Sequence, residues 1–312
     1  MPASVAVIDI GSNSIKVLVA QRTPENRLIC AKMKTIDARI SAGISRAQPR
    51  LTDEGMSRGL AAIRELLHDA VEFQPIRVAL VATSAVRDAA NGHVFCERVQ
   101  TETGHVVRIL TGNEEANTIG RGLACDPALG ELRDFYLFDL GGGSLECLAF
   151  RDRSITQAVS LPLGCVRLTE RFVADSSLPF TSEEHQRIVD ATQQTLVAGG
   201  FRFDLPPEAV AIGTGGTLTT ARAILALRQG KSFEASGTII TVAELRELLA
   251  YIGCCGLAAR LLLPAMPAAR ADVLPAALAT VIAAAELGGF EAYRHSLYNL
   301  RWGVADELLP AD

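Results

Sequence analysis

The stretches Val5–Ala20 (VAVIDIGSNSIKVLVA) and Phe135–Phe150 (FYLFDLGGGSLECLAF) carry one pattern: an apolar run, an aspartate, a glycine two residues on, a small polar turn and a second apolar run. Laid over one another, Asp9 falls on Asp139, Gly11 on Gly141, Ser14 on Ser144 and Leu18 on Leu148. Short apolar runs interrupted by glycine read as buried strands that close hairpins. A chain that carries this unit twice is constrained towards two related α/β halves, each offering a turn to a shared cleft.

The residue types set the chemistry of the turns. Gly141-Gly142-Gly143-Ser144 lets backbone N–H groups converge on an anion with no Cβ in the way. Asp139 at the strand end adds a carboxylate suited to a cation, so the pair of features suits a metal-bound phosphate. A third loop, Gly213-Thr214-Gly215-Gly216-Thr217, follows the apolar run Ala209–Ile212 and opens a helix-like segment, Leu218–Leu227. A glycine turn that feeds a helix N-terminus is an anion site of another kind. Any one of these loops could be an ordinary turn. Three of them at strand ends favour phosphate binding.

Charge and cysteine usage narrow the classes. The formal net charge of −5 over 312 residues argues against a nucleic-acid binder that relies on bulk positive charge. Seven scattered cysteines with no C-x-x-C spacing indicate neither a zinc site nor a disulfide framework, and reduced cytoplasmic thiols fit best. Nothing at the N-terminus reads as a targeting segment. The apolar stretch Val273–Ala285 falls short of the roughly 20 residues a bilayer span needs. The expectation is a cytoplasmic protein without a membrane segment. Its apolar helices in the second half are open to two uses, a homodimer interface or plain core.

Along the chain, Val5–Ile10, Ile15–Gln21 and Leu28–Ile36 read as strands, and Thr52–Ala70 as a helix capped by Thr52 or Asp53. Val78–Val81 is a strand, and Ala82–Arg87 after it reads as a loop whose small hydroxyl residues and arginine suit phosphate. Arg87 equally fits an exposed loop arginine. Gly92–Thr103 is a helix, Val106–Leu110 a strand, and a further helix runs from Thr111 to about Ala124. Glu114 and Glu115 in its first turn fit a complement to the helix dipole. The other use of an acid there is as general base for a water nucleophile. After the second hairpin come a strand, Ser154–Leu161, a loop leading into a helix over Gly164–Val173, and helices over Thr181–Gly199, Val242–Cys255, Leu257–Leu263 and Asp272–Leu287. His295–Leu309 reads as a strand followed by a short helix.

The segments DIGSNSIK (Asp9–Lys16), ATSAVRDA (Ala82–Ala89), TGNEEA (Thr111–Ala116), FDLGGGSLE (Phe138–Glu146), LPLGCVRLTERF (Leu161–Phe172), IGTGGT (Ile212–Thr217) and ARADVLP (Ala269–Pro275) follow one another in order. In this the chain resembles the exopolyphosphatase / guanosine pentaphosphate phosphohydrolase (Ppx/GppA) family of the actin–hsp70–sugar-kinase superfamily, over nearly its whole length. The resemblance implies two duplicated actin-like ATPase (ribonuclease H-like) domains with mixed sheets and an active site in the cleft between them. The domains are expected at 1–124, completed by 295–312, and at 125–294.

The resemblance also implies a magnesium-dependent hydrolase that releases terminal orthophosphate from inorganic polyphosphate, with pppGpp as the alternative substrate. The other readings are an ATP-dependent switch or sugar kinase on the same superfamily fold and a non-catalytic polyphosphate or alarmone binder. Glu115 matches the family's catalytic glutamate, and Glu146 assists it. Asp139, Glu146 and, through the repeat, Asp9 match the acids that serve Mg²⁺. Ser12, Asn13, Ser14, Arg87, Gly141, Gly142, Ser144, Gly215, Gly216 and Thr217 match the phosphate-binding positions, and Lys16 adds positive charge. The departures are Leu145 for a threonine, and Leu297, Asn299 and Trp302 in the C-terminal motif. They bear on substrate preference and leave the acids in place. Longer relatives carry further C-terminal domains, so short polymers are the expected substrates here.

Overall fold

In the computed structural model the described residues are 3–309. They form two compact units, one of Met1–Glu131 with Tyr298–Asp312, the other of Leu132–Leu297. No helix among the described residues is long and apolar enough to cross a membrane.

The first unit is built on the N-terminal apolar run. Strand β1 (Ser4–Ile10) is buried at every residue, so it must lie inside a sheet and not at its edge. Antiparallel to it runs β2 (Ile15–Arg22), followed by β3 (Leu28–Ile36). Helix α1 (Asp53–Val71), capped by the Thr52 hydroxyl, then returns the chain so that β4 (Arg77–Ala82) pairs parallel with β1. Two helices, α2 (Ser84–Arg87) and α3 (Gly92–Thr103), precede β5 (Val107–Ile109), and α4 (Gly112–Ala124) closes this part. The mixed five-stranded sheet has the order β3-β2-β1-β4-β5. Met56, Leu60, Ile63 and Leu66 recur along one face of α1 and pack in one core with Ile8, Ile10, Val17 and Phe95.

The second unit repeats the plan. The hairpin β6 (Phe135–Leu140) and β7 (Leu145–Arg151) continues into β8 (Ser154–Leu161). Helices α5 (Cys165–Phe172) and α6 (Ser182–Ala198) lead to β9 (Val210–Thr214), which pairs parallel with β6. Then come α7 (Gly215–Arg228), β10 (Ile239–Thr241), α8 (Val242–Gly253), α9 (Leu257–Arg260), α10 (Leu274–Gly288) and β11 (Ala292–His295). The sheet order is β10-β11-β9-β6-β7-β8, again mixed. Phe138 sits among Phe201, Phe290 and Tyr293 at ring distances of 5.5–6.0 Å, an aromatic core in offset and edge-on contact. Leu274–Ala285 of α10 is buried throughout within this unit, so the apolar run is core.

The chain then returns to the first unit as α11 (Leu300–Leu308). Helices α4 and α11 cross backbone against backbone: a Cβ on Gly122 would lie 2.0 Å from the Asn299 carbonyl oxygen, and one on Gly303 1.9 Å from that of Thr118. Arg22 secures the helix end by donating to the Leu309 carbonyl and pairing with Asp306 at 2.7 Å. Trp302 is buried and stacks on Tyr298 at 4.1 Å, so this departure fills core in place of an acid. Asn299 stands at the N-cap position of α11, Leu145 is buried at the start of β7, and Leu297 is exposed.

Sequence and structure differ in five places. The last strand ends at His295 (Ala292–His295) and does not begin there. Ala82–Arg87 is not wholly loop, because the Thr83 carbonyl accepts from the N–H groups of Val86 and Arg87 and starts α2. Helix α7 begins inside the third glycine loop, at Gly215 and not at Leu218. The helix from Leu257 stops at Arg260, well before Leu263. Strand β10 has only three residues and exists by pairing with β11, a partner remote in sequence.

Candidate active site

In the first unit the hairpin register places Asp9 opposite Lys16 and Ile10 opposite Ile15. Directly paired residues project to the same face of a sheet, so the Asp9 carboxylate and the Lys16 ammonium share one side. The Gly11 N–H closes the turn on the Ser14 carbonyl at 3.2 Å. Ser12, Asn13 and Ser14 are buried. The Ser41 hydroxyl donates to the Ser12 carbonyl at 3.1 Å, Arg39 Nε donates to Asn13 Oδ1 at 3.1 Å, and the Ser12 and Ser84 hydroxyls lie 3.3 Å apart. Side chains from two separate segments, Arg39–Ser41 and Ser84, therefore brace this turn.

Arg87 ends α2 and reaches Glu115 in the first turn of α4. Its Nη1 donates to Glu115 Oε2 at 2.6 Å and to the Leu110 carbonyl at 3.1 Å. The neighbouring acid has a different task. Thr111 Oγ accepts from the Glu114 N–H at 3.2 Å, and the Glu114 carboxylate accepts from the Thr111 N–H at 2.9 Å, a complete capping box. The bonds from the Thr111 backbone and side chain, with help from Arg108, hold the Glu114 carboxyl down at about 2. The helix terminus is thus capped by Thr111 and Glu114. Glu115 is buried beside Arg87 and takes no part in the cap.

The second unit repeats the hairpin with one change of charge. Its turn is closed by Gly141 N–H on the Ser144 carbonyl at 3.0 Å, and Asp139 stands opposite Glu146. The slot that holds Lys16 in the first hairpin therefore holds Glu146 in the second, so two buried carboxylates share a face. The Ser160 hydroxyl donates to Glu146 Oε1 at 2.7 Å and fixes that side chain.

The triple-glycine turn is clamped by α5. N–H groups of Cys165, Val166 and Arg167 donate to the carbonyls of Gly141 and Gly142 at 2.9–3.2 Å, and Arg167 Nε donates to that of Gly143 at 2.9 Å. With its carbonyls drawn into the helix start, the turn is fixed in place. The close approach needs Gly164, since a Cβ there would lie 2.2 Å from the Gly143 carbonyl carbon.

The third loop meets the same aspartate. Gly215 has φ +87°, and a Cβ on it would fall 2.7 Å from Asp139 Oδ1. Here glycine is required both by its left-handed backbone and by the carboxylate beside it. Thr214 and Thr217 are fully buried, and their hydroxyls have no protein hydrogen-bond partner among the described residues. One more side chain joins this group: the guanidinium of Arg270 is seated on Gly216, where a Cβ would lie 1.8 Å from its Nη2. Arg270 falls in the segment ARADVLP but is not singled out there. The sequence signal was the lone cation of that segment, and its position over a loop 54 residues away is set only by the fold.

These groups fit a magnesium ion. Among the described residues no three or more of His, Cys, Asp and Glu gather into a ready-made metal cluster. Mg²⁺ does not need one: it binds through one or two carboxylates, several waters and the oxygens of a phosphate substrate. Asp139 and Glu146 are hard oxygen donors on one sheet face, with the buried Thr214 and Thr217 hydroxyls close in sequence to the Gly215 that touches Asp139.

The Ppx/GppA phosphatase family matches residues 5–312. The crystal structure of an exopolyphosphatase from Cytophaga hutchinsonii shares the fold with a TM-score of 0.86 at 23% identity, over 98% of this chain and 97% of that one. The crystal structure of the Aquifex aeolicus Ppx/GppA family member matches with a TM-score of 0.79 at 26% identity, over 98% of both chains.

Proposed function

This chain belongs to the Ppx/GppA phosphatase family, and from that premise we propose that it is a magnesium-dependent hydrolase releasing terminal orthophosphate from inorganic polyphosphate. The observation that carries the proposal is Glu115: a buried carboxylate 2.6 Å from Arg87, left out of the cap that its neighbour Glu114 forms. A buried carboxylate held beside a guanidinium at the start of a helix is suited to take a proton from water.

Hydrolysis of a phosphoanhydride asks the protein for position and charge neutralisation more than for covalent chemistry. In this reading Glu115 accepts the proton of the attacking water, and Arg87 fixes the carboxylate. The backbone N–H groups that follow Gly141 in its turn, Gly142–Ser144, and the N-terminus of α7 at Gly215–Thr217 receive phosphate oxygens. Ser12–Ser14 and Lys16 do the same in the first unit. Asp139 and Glu146 would hold Mg²⁺, with Asp9 as the equivalent acid of the first hairpin. When bound, Mg²⁺ neutralises charge that builds up on the phosphate oxygens.

Orthophosphate release from short polyphosphate, long polyphosphate and pppGpp, each offered with Mg²⁺ to wild type and Glu115→Gln, tests the proposal. Polyphosphate turnover that collapses in the variant supports it. Turnover of pppGpp alone replaces the substrate and keeps the chemistry. Tight binding of polyphosphate with no turnover of any substrate leaves a binding protein.

A further inference from the structure

A buried chain of hydrogen bonds runs away from the Gly215–Thr217 loop and ends on a buried arginine. His295, the last residue of β11, is 3% exposed and lies beside Gly213 in the sheet register. Its Nδ1 is 3.3 Å from Arg222 Nη1 and its Nε2 is 3.1 Å from the Thr219 hydroxyl. The Thr219 hydroxyl donates in turn to the Gly215 carbonyl at 2.8 Å. Arg222 is itself 8% exposed and fully engaged. Its Nε donates to Ser236 Oγ, its Nη2 to the carbonyls of Phe233 and Ser236 at 2.9–3.0 Å, and its guanidinium carbon lies 4.3 Å from the centre of the Phe233 ring.

The donor inventory leaves one arrangement of protons. A guanidinium has donors only, so Nδ1 of His295 must accept. Nε2 then carries the ring proton and donates to Thr219 Oγ, which is left with its own proton for the Gly215 carbonyl. Every link points towards the loop. Burial first, and the Arg222 charge second, push the His295 pKa down to about 4, in keeping with a neutral ring.

We infer that His295 is a positioning residue for the phosphate loop: through Thr219 it fixes the carbonyl of Gly215, the residue whose left-handed backbone sets that loop against Asp139. Arg222 dictates the tautomer that makes this possible, and its bonds to Phe233 and Ser236 tie the segment between α7 and β10 to the same point. The inference rests on the reading of Gly215–Thr217 as a phosphate site. It differs from that reading in concerning residues that touch no substrate.

Two measurements test it. In wild type with ¹⁵N-labelled histidine, long-range ¹H–¹⁵N correlation spectra near pH 7 should show His295 as the neutral Nε2–H tautomer. A protonated ring or the Nδ1–H form overturns the inference whatever the enzyme does. The second measurement is binding of inorganic tripolyphosphate with Mg²⁺, followed by calorimetry, and KM and kcat wherever turnover occurs. Thr219→Val and His295→Leu should each weaken binding and raise KM about tenfold while kcat changes less than threefold, and His295→Gln, which keeps a donor towards Thr219, should recover part of the loss. Thr219→Val is nearly isosteric, so it serves if His295→Leu does not fold. Unchanged affinity in Thr219→Val overturns the inference. A wild type that binds tripolyphosphate and hydrolyses nothing defeats the proposed activity and leaves this test intact.

Discussion

Arg87 and Glu115 form an ion pair between α2 and α4, 2.6 Å from Nη1 to Oε2, with Glu115 buried and Arg87 about a fifth exposed. If Glu115 is the general base, Glu115→Gln keeps the shape and the donor from Arg87 but cannot take a proton. Phosphate release should fall by about two to four orders of magnitude, with the fold unchanged by circular dichroism. Equal rates for the two proteins would leave the pair a purely structural one.

Arg87→Ala strands the Glu115 carboxylate in the interior. The cost should be roughly 2–3 kcal/mol, less than for a wholly buried pair because water reaches the arginine. Urea unfolding reads this as a lower midpoint. In Arg87→Ala/Glu115→Gln most of the loss should return, because the buried carboxylate is then gone and only the part-exposed Asp88 has lost a partner.

The glycine clamp predicts a contrast. Gly164→Ala forces a Cβ to 2.2 Å from the backbone of Gly143, so the turn or α5 must move, at a cost of about 2 kcal/mol or more. Gly141→Ala places its Cβ 3.4 Å from the Ser144 carbonyl oxygen, an ordinary contact, and should cost no more than about 1 kcal/mol. Thermal midpoints of the two variants, measured side by side, check the order.

Removal of Mg²⁺ by EDTA should abolish phosphate release, and added Mg²⁺ should restore it. Ser160→Ala removes the hydroxyl that orients Glu146 at 2.7 Å, and the Mg²⁺ concentration for half-maximal rate should then rise by about tenfold. An unchanged Mg²⁺ curve would place Glu146 outside the metal's reach.

The low pKa of His295 fixes the sign of a pH effect. The folded ring titrates at about 4 and the unfolded one near 6.5, so between these values the unfolded chain binds the extra proton. The contribution is in full force above pH 6.5 and is lost as the pH falls to 4, a span worth about 3 kcal/mol. Unfolding free energies for wild type and His295→Gln from pH 7 to 4 should converge, with the wild type showing the steeper fall.

The sequence showed the hairpins clearly because their signals are local. Continuous apolar runs, the Asp-x-Gly step and the small turn residues lie within sixteen positions, and the structure repeats the same turn-closing bond at Gly11 and at Gly141. The local pattern alone did not separate Glu114 from Glu115, since both satisfy a first-turn rule, and only the family resemblance singled out Glu115. The difference depends on which of them Thr111 and Arg87 engage, and Arg87 is 28 residues away. Strand β10 went unread because three residues carry no periodicity. The link from Arg222 through His295 to Thr219 spans more than 70 residues and joins a cation to a neutral ring, a pairing that no local pattern announces.

The interlocked glycines of α4 and α11 have a consequence for the order of synthesis. Leu132–Leu297 is continuous in the chain, whereas the unit that carries Glu115 is finished only by α11. At ordinary translation rates roughly 10–30 s pass between the appearance of α4 and that of α11. Throughout that interval α4 lacks the backbone surface against which Gly122 and Thr118 close. The nascent polypeptide can complete its second lobe on the ribosome while the first waits, so the helix bearing Glu115 is seated at the last stage of biogenesis.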